Sequence, residues 1–233
     1  MTDRHALPLH VQISEMLIRD IHAGRLMDGE RLPPEREMAE RLKISVGTLR
    51  KALGDLTDKG MLERVQGSGN YVRAKAGAAS VYAFFRVELL EGGGLPTAEV
   101  LSVQRLEKPA DLPDFGVSGE AHRIRRLRRL NGVPAVLEEV WLDGRYAERI
   151  APGDLRESLY LFYREALNLW ITRAEDALGL AGVPDWAPGA FGLASGTQTL
   201  QATRISWGQD GARAEVSRSW INTDVARYVA RLA

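Results

Sequence analysis

Arginines are the residues whose type and spacing most clearly indicate chemistry in this chain. Five of them lie in the nine residues 122–130, in a pattern typical of a strand. Side chains alternate between the two faces of a strand, so Arg126 and Arg128 share one face with Ile124 and Leu130. A guanidinium in an apolar pocket is costly unless a carboxylate or a bound anion neutralises it. The stretch therefore predicts either a site for a small acidic molecule or a solvated sheet face with surface ion pairs.

Residues 45–51 carry side chains suited to contact with DNA. Apolar residues at helical spacing form a face that turns toward a core: Val46, Leu49, Leu53 and Leu56. The other surface of the first two turns carries small, hydroxyl-bearing and basic residues: Gly47, Thr48, Arg50 and Lys51. Arginine and lysine bind phosphates or guanine edges, threonine binds a phosphate or a thymine methyl, and glycine permits close approach. The pattern predicts a helix, capped by Ser45, whose N-terminal end contacts DNA.

The elements that would position this helix can be predicted from the surrounding sequence. A first helix is predicted over 9–23, a short second helix over 35–42 with Glu35 and Glu37 in its first turn, and the third over 45–60. Two short helices separated by two or three residues are typical of a helix-turn-helix. Two strands around a glycine turn then predict a wing near the DNA, with a tip of four residues: Gln66, Gly67, Ser68 and Gly69. The alternative is a three-helix domain whose hairpin makes protein contacts.

Composition limits the classes of protein to which the chain can belong. Of the 233 residues, 45% are hydrophobic and 27% are charged, which is typical of a folded globular protein. We find neither an apolar run long enough for a membrane span nor a signal peptide, and therefore expect a cytoplasmic protein without membrane contact. The absence of cysteine excludes disulfides and thiolate ligands, and we expect neither a metal nor a cofactor. The 31 basic residues balance the 31 acidic ones, so net charge does not argue for DNA binding.

The pattern changes after the predicted wing. We predict a DNA-binding domain at 1–73, a linker of small residues at 74–80, and a second domain at 81–233. The second domain shows alternating stretches on both sides of Asn131-Gly132, which indicate a hairpin, and a helix over 155–167. The mixture predicts an α+β fold.

Three stretches of the first domain resemble the signature of the GntR family of transcriptional regulators. They are residues 32–39, 45–53 and 66–72, in the same order and at the same spacing as in the family. The resemblance implies the following DNA contacts: Arg36, Thr48, Arg50, Gln66 and Gly67. Pro34 stands where the family often has serine, and Val46 stands where many members have an arginine that reads guanine. The valine at position 46 predicts that this chain prefers an operator sequence different from the commonest ones in the family.

From about Thr97 onward, the chain resembles the effector-binding domain of HutC-type GntR regulators, which is called UTRA. The stretches that carry this resemblance are 126–128 before 131–134, 137–139, 158–160 and 215–220. The resemblance implies an antiparallel-sheet domain of chorismate-lyase-like fold with these effector contacts: Phe85, Arg126, Arg128, Glu138, Ser158, Arg173, Glu215 and Trp220. The alternatives without a ligand are a serine on the helix surface at Ser158 and an exposed cross-strand ion pair at Glu215. Trp220 and the Phe84-Phe85 pair depart from sugar-phosphate binders, which argues against a phosphosugar.

The side chain that faces the arginines depends on the turn of the hairpin. A two-residue turn at Asn131-Gly132 places Glu139 on the arginine face, whereas a three-residue loop places Glu138 there. The family pattern favours Glu138.

Together, the residues and the resemblance predict a ligand-responsive regulator. We expect a repressor that binds a palindromic double-stranded DNA operator as a homodimer and responds to a small, anionic metabolite. The alternative is an enzyme of chorismate-lyase-like fold with an attached DNA-binding domain. Only one histidine, His122, lies in the second domain, and neither a serine-base arrangement nor a metal-ligand cluster is apparent, which argues against catalysis.

Overall fold

Two compact units make up the computed structural model, which describes residues 8–22, 24–73 and 84–230. The first unit lies within Leu7–Arg86 and the second within Val87–Val229. The predicted linker at 74–80 lies outside the described residues. No helix in the described part of the chain is long and apolar enough to cross a membrane.

The first unit is built from three helices and a hairpin: α1 Leu9–His22, α2 Glu35–Arg41, α3 Val46–Asp58, β1 Leu62–Val65 and β2 Gly69–Val72. The apolar faces of α1 and α3 meet in a core where Ile13, Leu17, Leu49 and Leu56 are at most 2% exposed. Helix α3 begins at Ser45, whose hydroxyl accepts a hydrogen bond from the Thr48 backbone N–H at 3.0 Å. Residues 42–45 connect α2 to α3, which gives the predicted helix-turn-helix.

The predicted wing is present as an antiparallel hairpin. Strand β1 pairs with β2 from Leu62 opposite Val72 to Val65 opposite Gly69. Gly67 at the tip has a φ of +76°, a conformation that favours glycine. Arg31 forms an antiparallel bridge to Tyr71, so the segment before α2 lies along the outer edge of β2.

The second unit is organised around a six-stranded antiparallel sheet. Its strands are β4 Pro96–Glu107, β5 Glu120–Leu130, β6 Val133–Asp143, β7 Ile171–Gly182, β8 Gln198–Gly208 and β9 Arg213–Ile221. They lie side by side in the order β4-β5-β6-β9-β8-β7. A separate pair joins β3 Val87–Leu89 to β10 Ala226–Tyr228, and one α-helix, α4 Leu159–Ala166, follows β6. The predicted α+β class with an antiparallel second domain is confirmed.

The central sheet has two differently covered faces. The helix face carries Arg126, Glu138 and Glu215, and α4 lies against it, since Tyr163 Oη donates to Glu215 Oε2 at 2.6 Å. The loop face carries Leu127, Leu137 and Trp220, which pack against Val183 and Phe191 in the segment between β7 and β8. Side-chain alternation therefore separates the candidate ionic site from an apolar core on the opposite face.

Candidate functional site

The N-terminal end of α3 presents most of the predicted DNA-contacting residues to solvent. Ser45, Gly47, Arg50 and Lys51 are exposed, and Thr48 is half-buried. The Ser45 and Thr48 hydroxyls lie 2.8 Å apart and hydrogen-bond to each other. Because Ser45 also caps α3, its hydroxyl is occupied by the helix.

The wing tip and the start of α2 border one cleft of about 680 Å³, which Arg31, Glu35, Arg64 and Gln66 help to line. Gln66 and Gly67 are exposed, whereas Ser68 is half-buried and its hydroxyl lies 2.7 Å from Tyr71 Oη. Arg36 is exposed in the first turn of α2. The predicted contacts on α2, α3 and the wing all lie within the first compact unit.

Glu35 contacts basic residues of both α3 and the wing. Arg50 Nε donates to Glu35 Oε2 at 2.6 Å, and Arg64 Nη2 lies 3.9 Å from Glu35 Oε1. The sequence predicted only that the helix dipole favours Glu35, because the proximity of α2 to the wing depends on tertiary structure.

On the helix face of the sheet, Arg126 and Arg128 meet Glu138. All three are at most 8% exposed. Arg126 Nη2 donates to Glu138 Oε2 at 2.5 Å, and Arg128 Nε lies 3.6 Å from Glu138 Oε1. Arg126 and Arg128 therefore share one face, as strand alternation predicts, and that face is buried rather than solvated.

A bulge explains why Glu138, rather than Glu139, faces these arginines. The turn has two residues, since Leu130 pairs with Val133, but the register shifts so that Arg128 pairs with Val136 and Ala135 is an extra residue. Glu138 consequently pairs with Arg126, while Glu139 pairs with Arg125 on the loop face. The bulge thus places Glu138 on the arginine face, an arrangement that the sequence alone had suggested only for a three-residue loop.

Both arginines also hold the start of α4. Arg126 Nη1 and Arg128 Nη2 donate to the Glu157 backbone carbonyl at 3.1 Å and 3.0 Å. Ser158, which follows, is 2% exposed and caps α4 by accepting from the Leu161 N–H at 3.3 Å. Ser158 is thus a buried helix cap beside the arginines and does not lie on the helix surface.

Glu215 is buried in a network of hydroxyl groups. Its carboxylate accepts hydrogen bonds from Tyr163 Oη at 2.6 Å, Ser206 Oγ at 3.1 Å and Tyr160 Oη at 3.3 Å. It is 2% exposed, so the alternative of an exposed cross-strand ion pair does not describe it. Sequence reasoning missed Tyr160 and Tyr163 as partners, although their apolar neighbours in α4 indicated an inward-facing helix.

The buried carboxylates of the helix face have opposite pKa shifts. Burial raises the pKa of Glu138, but the Arg126 and Arg128 guanidiniums outweigh it, so the pKa lies below its ordinary value. At Glu215, burial dominates the opposing hydrogen bonds, and the pKa is raised. The two guanidiniums therefore favour the charged form of Glu138, whereas burial disfavours the charged form of Glu215.

A second ion pair lies on the same face toward the sheet edge. Arg204 donates through Nε and Nη2 to the two Asp176 carboxylate oxygens, both at 2.6 Å, and Tyr228 Oη donates to Asp176 Oδ2 at 2.6 Å. This pair matches one cation with one anion.

Three predicted effector contacts lie elsewhere. Trp220 is on the loop face, with its ring edge-on to Trp186 at 5.8 Å, because Ser219 rather than Trp220 pairs with Glu138. Arg173 is on β7, its side chain is 64% exposed, and its guanidinium lies 4.3 Å from the Trp207 ring centroid. Phe85 lies in the first compact unit, 5.8 Å from the Arg19 guanidinium. The structure therefore does not place Trp220 or Arg173 in the arginine cluster, and Phe85 belongs to the other compact unit.

Comparison with protein families supports both halves of the prediction. Residues 9–72 match the model of the bacterial regulatory proteins of the gntR family, and residues 91–227 match the UTRA domain. Residues 91–227 include β4 to β9 and all of α4, so the arginine cluster and the Glu215 network lie inside the matched UTRA region.

Similar proteins of known name are transcriptional regulators. The chain is 60% identical to the HTH-type transcriptional regulator SmoD of Agrobacterium fabrum over 97% of each chain. It is 26% identical to the HTH-type transcriptional repressor NagR of Bacillus subtilis over 96% of this chain and 94% of NagR. The crystal structure of YydK from Bacillus subtilis matches the fold with a TM-score of 0.53 at 20% identity, over 97% of this chain and 100% of YydK. The relatives support a regulator and not the enzyme alternative.

Proposed function

The chain belongs to the GntR family of transcriptional regulators with a UTRA effector-binding domain, and we propose that it is a repressor whose operator affinity is set by a small anionic metabolite. It acts in the cytoplasm as a homodimer on a palindromic operator. In this proposal, residues 1–73 bind DNA, 74–80 connect the domains, and 81–233 bind the effector and dimerise.

The observation that carries the effector class is the pair of buried guanidiniums on one face of the sheet. Arg126 and Arg128 are 3% and 4% exposed, and both contact the Glu138 carboxylate. Guanidinium groups bind anionic groups in a fork-like geometry with charge-assisted hydrogen bonds. Ser158 caps α4 directly after Glu157, and Glu215 accepts from Tyr163 of the same helix, so both lie on the α4 side of the sheet.

The first unit supports the DNA-binding half of the proposal. Gly47, Thr48, Arg50 and Lys51 occupy the α3 end that enters a major groove in helix-turn-helix proteins, and Arg36 and the wing residues Gln66 and Gly67 flank it. Two-fold related half-sites require two such units about one helical turn of DNA apart. An effector that changes the spacing of the two units in a homodimer therefore changes operator affinity.

A ligand screen tests the effector site. Anionic and neutral metabolites are screened by thermal shift, and the ligands that bind are added to gel shifts on the DNA upstream of the protein's own gene. We expect binding by an anion that alters a salt-sensitive, sequence-specific complex. Arg128→Lys keeps the positive charge but loses the planar guanidinium, so it should weaken binding of the anion about tenfold or more.

The matched control is Arg125→Lys on the same strand. Arg125 pairs with Glu139 at 2.7 Å on the loop face, so this variant should keep the affinity for the anion. The effector site would be refuted if only neutral molecules bound or if the two variants weakened binding equally. The failure to form any sequence-specific complex with DNA would refute the regulator itself.

A further inference from the structure

Glu35 is placed between two basic residues that approach DNA from different elements. Arg50 lies on α3 and Arg64 on β1 of the wing, and their side chains are 63% and 69% exposed. Glu35 is only 19% exposed, because it lies at the base of the cleft between the start of α2 and the wing. The carboxylate is therefore held in place while the two guanidiniums reach outward.

The hydrogen bond from Arg50 leaves the tip of that guanidinium pointing outward. Glu35 Oε2 accepts from Arg50 Nε at 2.6 Å, which fixes the guanidinium plane on its inner side. The two terminal nitrogens lie on the other side of the guanidinium carbon and carry four N–H donors. Such a pair of donors matches the O6 and N7 acceptors of guanine in the major groove.

The same carboxylate reduces attraction to DNA of any sequence. Contacts from arginine to phosphate provide most of the affinity for non-specific DNA, and each neutralised phosphate adds to the salt dependence. Glu35 offsets one of the two positive charges that Arg50 and Arg64 would offer to a phosphate, since it lies 2.6 Å and 3.9 Å from them. It also repels a phosphate that enters the cleft.

We propose that Glu35 is a positioning residue that sets the sequence specificity of operator binding. It orients Arg50 toward base edges and suppresses the sequence-independent attraction of Arg50 and Arg64 to phosphates. This matters in a chain with Val46 on the recognition helix, because Arg50 is then the arginine of the α3 N-terminal end that reaches base edges. The inference rests on the proposed binding of operator DNA.

The test compares three full-length proteins: the wild type, Glu35→Gln and Glu37→Gln. Glu37 is exposed in the same first turn of α2 and has the same charge, so its replacement controls for net charge and for the helix dipole. Fluorescence anisotropy at several salt concentrations measures dissociation constants for two duplexes. One duplex is selected by the wild-type protein from a random-sequence pool, and the other is a scrambled version of the same composition.

We expect Glu35→Gln to bind the scrambled duplex about threefold more tightly, in keeping with the energy of an exposed ion pair, and to bind the selected duplex no more tightly than before. The ratio of the two dissociation constants should fall by about threefold or more. The salt slope for the scrambled duplex should steepen by about 0.9, which corresponds to one further phosphate contact. Glu37→Gln should leave the ratio unchanged.

The inference is overturned if Glu35→Gln leaves the ratio unchanged or raises it, or if Glu37→Gln lowers the ratio equally. Thermal unfolding of both variants checks that α2 still forms, since glutamine keeps the size of glutamate. Its neutral amide oxygen accepts more weakly from Arg50 than the carboxylate does, so the orientation of Arg50 is loosened. If the wild-type protein enriches no sequence from the pool, the proposed function fails instead, so the two failures are distinguishable.

Discussion

Glu138→Gln tests whether the buried arginines need a negative partner. Arg126 Nη2 lies 2.5 Å from one Glu138 oxygen, and Arg128 Nε lies 3.6 Å from the other. Glutamine has nearly the same shape and keeps a carbonyl oxygen that can accept from Arg126, but it removes the charge. The variant therefore leaves two guanidiniums, each at most 4% exposed, without their carboxylate.

The expected loss of stability follows from that burial. Removal of one partner from a buried ion pair costs about 3 to 5 kcal/mol, and the retained acceptor places this variant near 3 kcal/mol. This corresponds to a fall in melting temperature of about 6 to 12 °C for a chain of this size. The Glu138 pKa is lowered, so its contribution is complete above an unfolded pKa of about 4.3 and is lost as the pH falls through the folded pKa.

Thermal unfolding with and without inorganic phosphate measures both parts of the prediction. Phosphate supplies the missing negative charge, so it should raise the melting temperature of Glu138→Gln more than that of the wild type. The matched control is Glu139→Gln, whose carboxylate is equally buried but accepts from Arg125 and Trp141 on the loop face. We expect this control to be destabilised without a gain from phosphate above the wild-type gain.

Two results would refute the reasoning. A Glu138→Gln protein that melts at the wild-type temperature would show that the arginines are not held by the carboxylate. Equal gains from phosphate in both glutamine variants would show that phosphate acts elsewhere on the protein.

Three further predictions concern stability, each measured by urea unfolding. Burial raises the pKa of Glu215, so its contribution to stability is greatest below about pH 4.3 and is lost as the pH rises through the folded pKa. Glu215→Gln should remove this decline with pH, and a decline that persisted in the variant would contradict the raised pKa. Ser158→Ala should cost about 1 kcal/mol and Ser158→Gly only a few tenths, whereas equal losses would argue against a capping role. Gly116→Ala should cost about 3 kcal/mol, because the added Cβ would lie 2.0 Å from Asp143 Oδ2. Gly132→Ala should cost only about 1 kcal/mol, because its φ of +82° disfavours alanine although no atom lies within 4 Å, and similar costs for the two variants would refute the clash.

The first unit could be predicted from sequence because its signals are local. The spacing of Leu49, Leu53 and Leu56, the Ser45 cap and the glycine turn at Gly67 each specify a conformation within a few residues. The contact of Glu35 with Arg50 was not predictable in this way, since it joins residues 15 positions apart on different helices.

In the effector region, strand alternation alone was not sufficient to predict which side chains of neighbouring strands meet. Alternation placed Arg126 and Arg128 together, but the partner strand could be aligned only with knowledge of the bulge at Ala135. That bulge has a non-local support, because the Ala135 carbonyl accepts from the Asn222 N–H beyond β9. The placement of Trp220 on the loop face likewise depends on the register between β6 and β9, which the sequence of either strand does not contain.

The shared hydrogen bonds to the Glu157 carbonyl link the proposed anion site to the position of α4. Arg126 and Arg128 each use a terminal nitrogen there, so an anion that took those donors would release the residue that precedes the cap of α4. If the anion favours this released state, thermodynamic linkage means that a substitution that loosens the start of α4 raises anion affinity, by at most the factor by which the anion favours that state. In the proposed function, the stability of the helix cap therefore also sets the affinity for the anion.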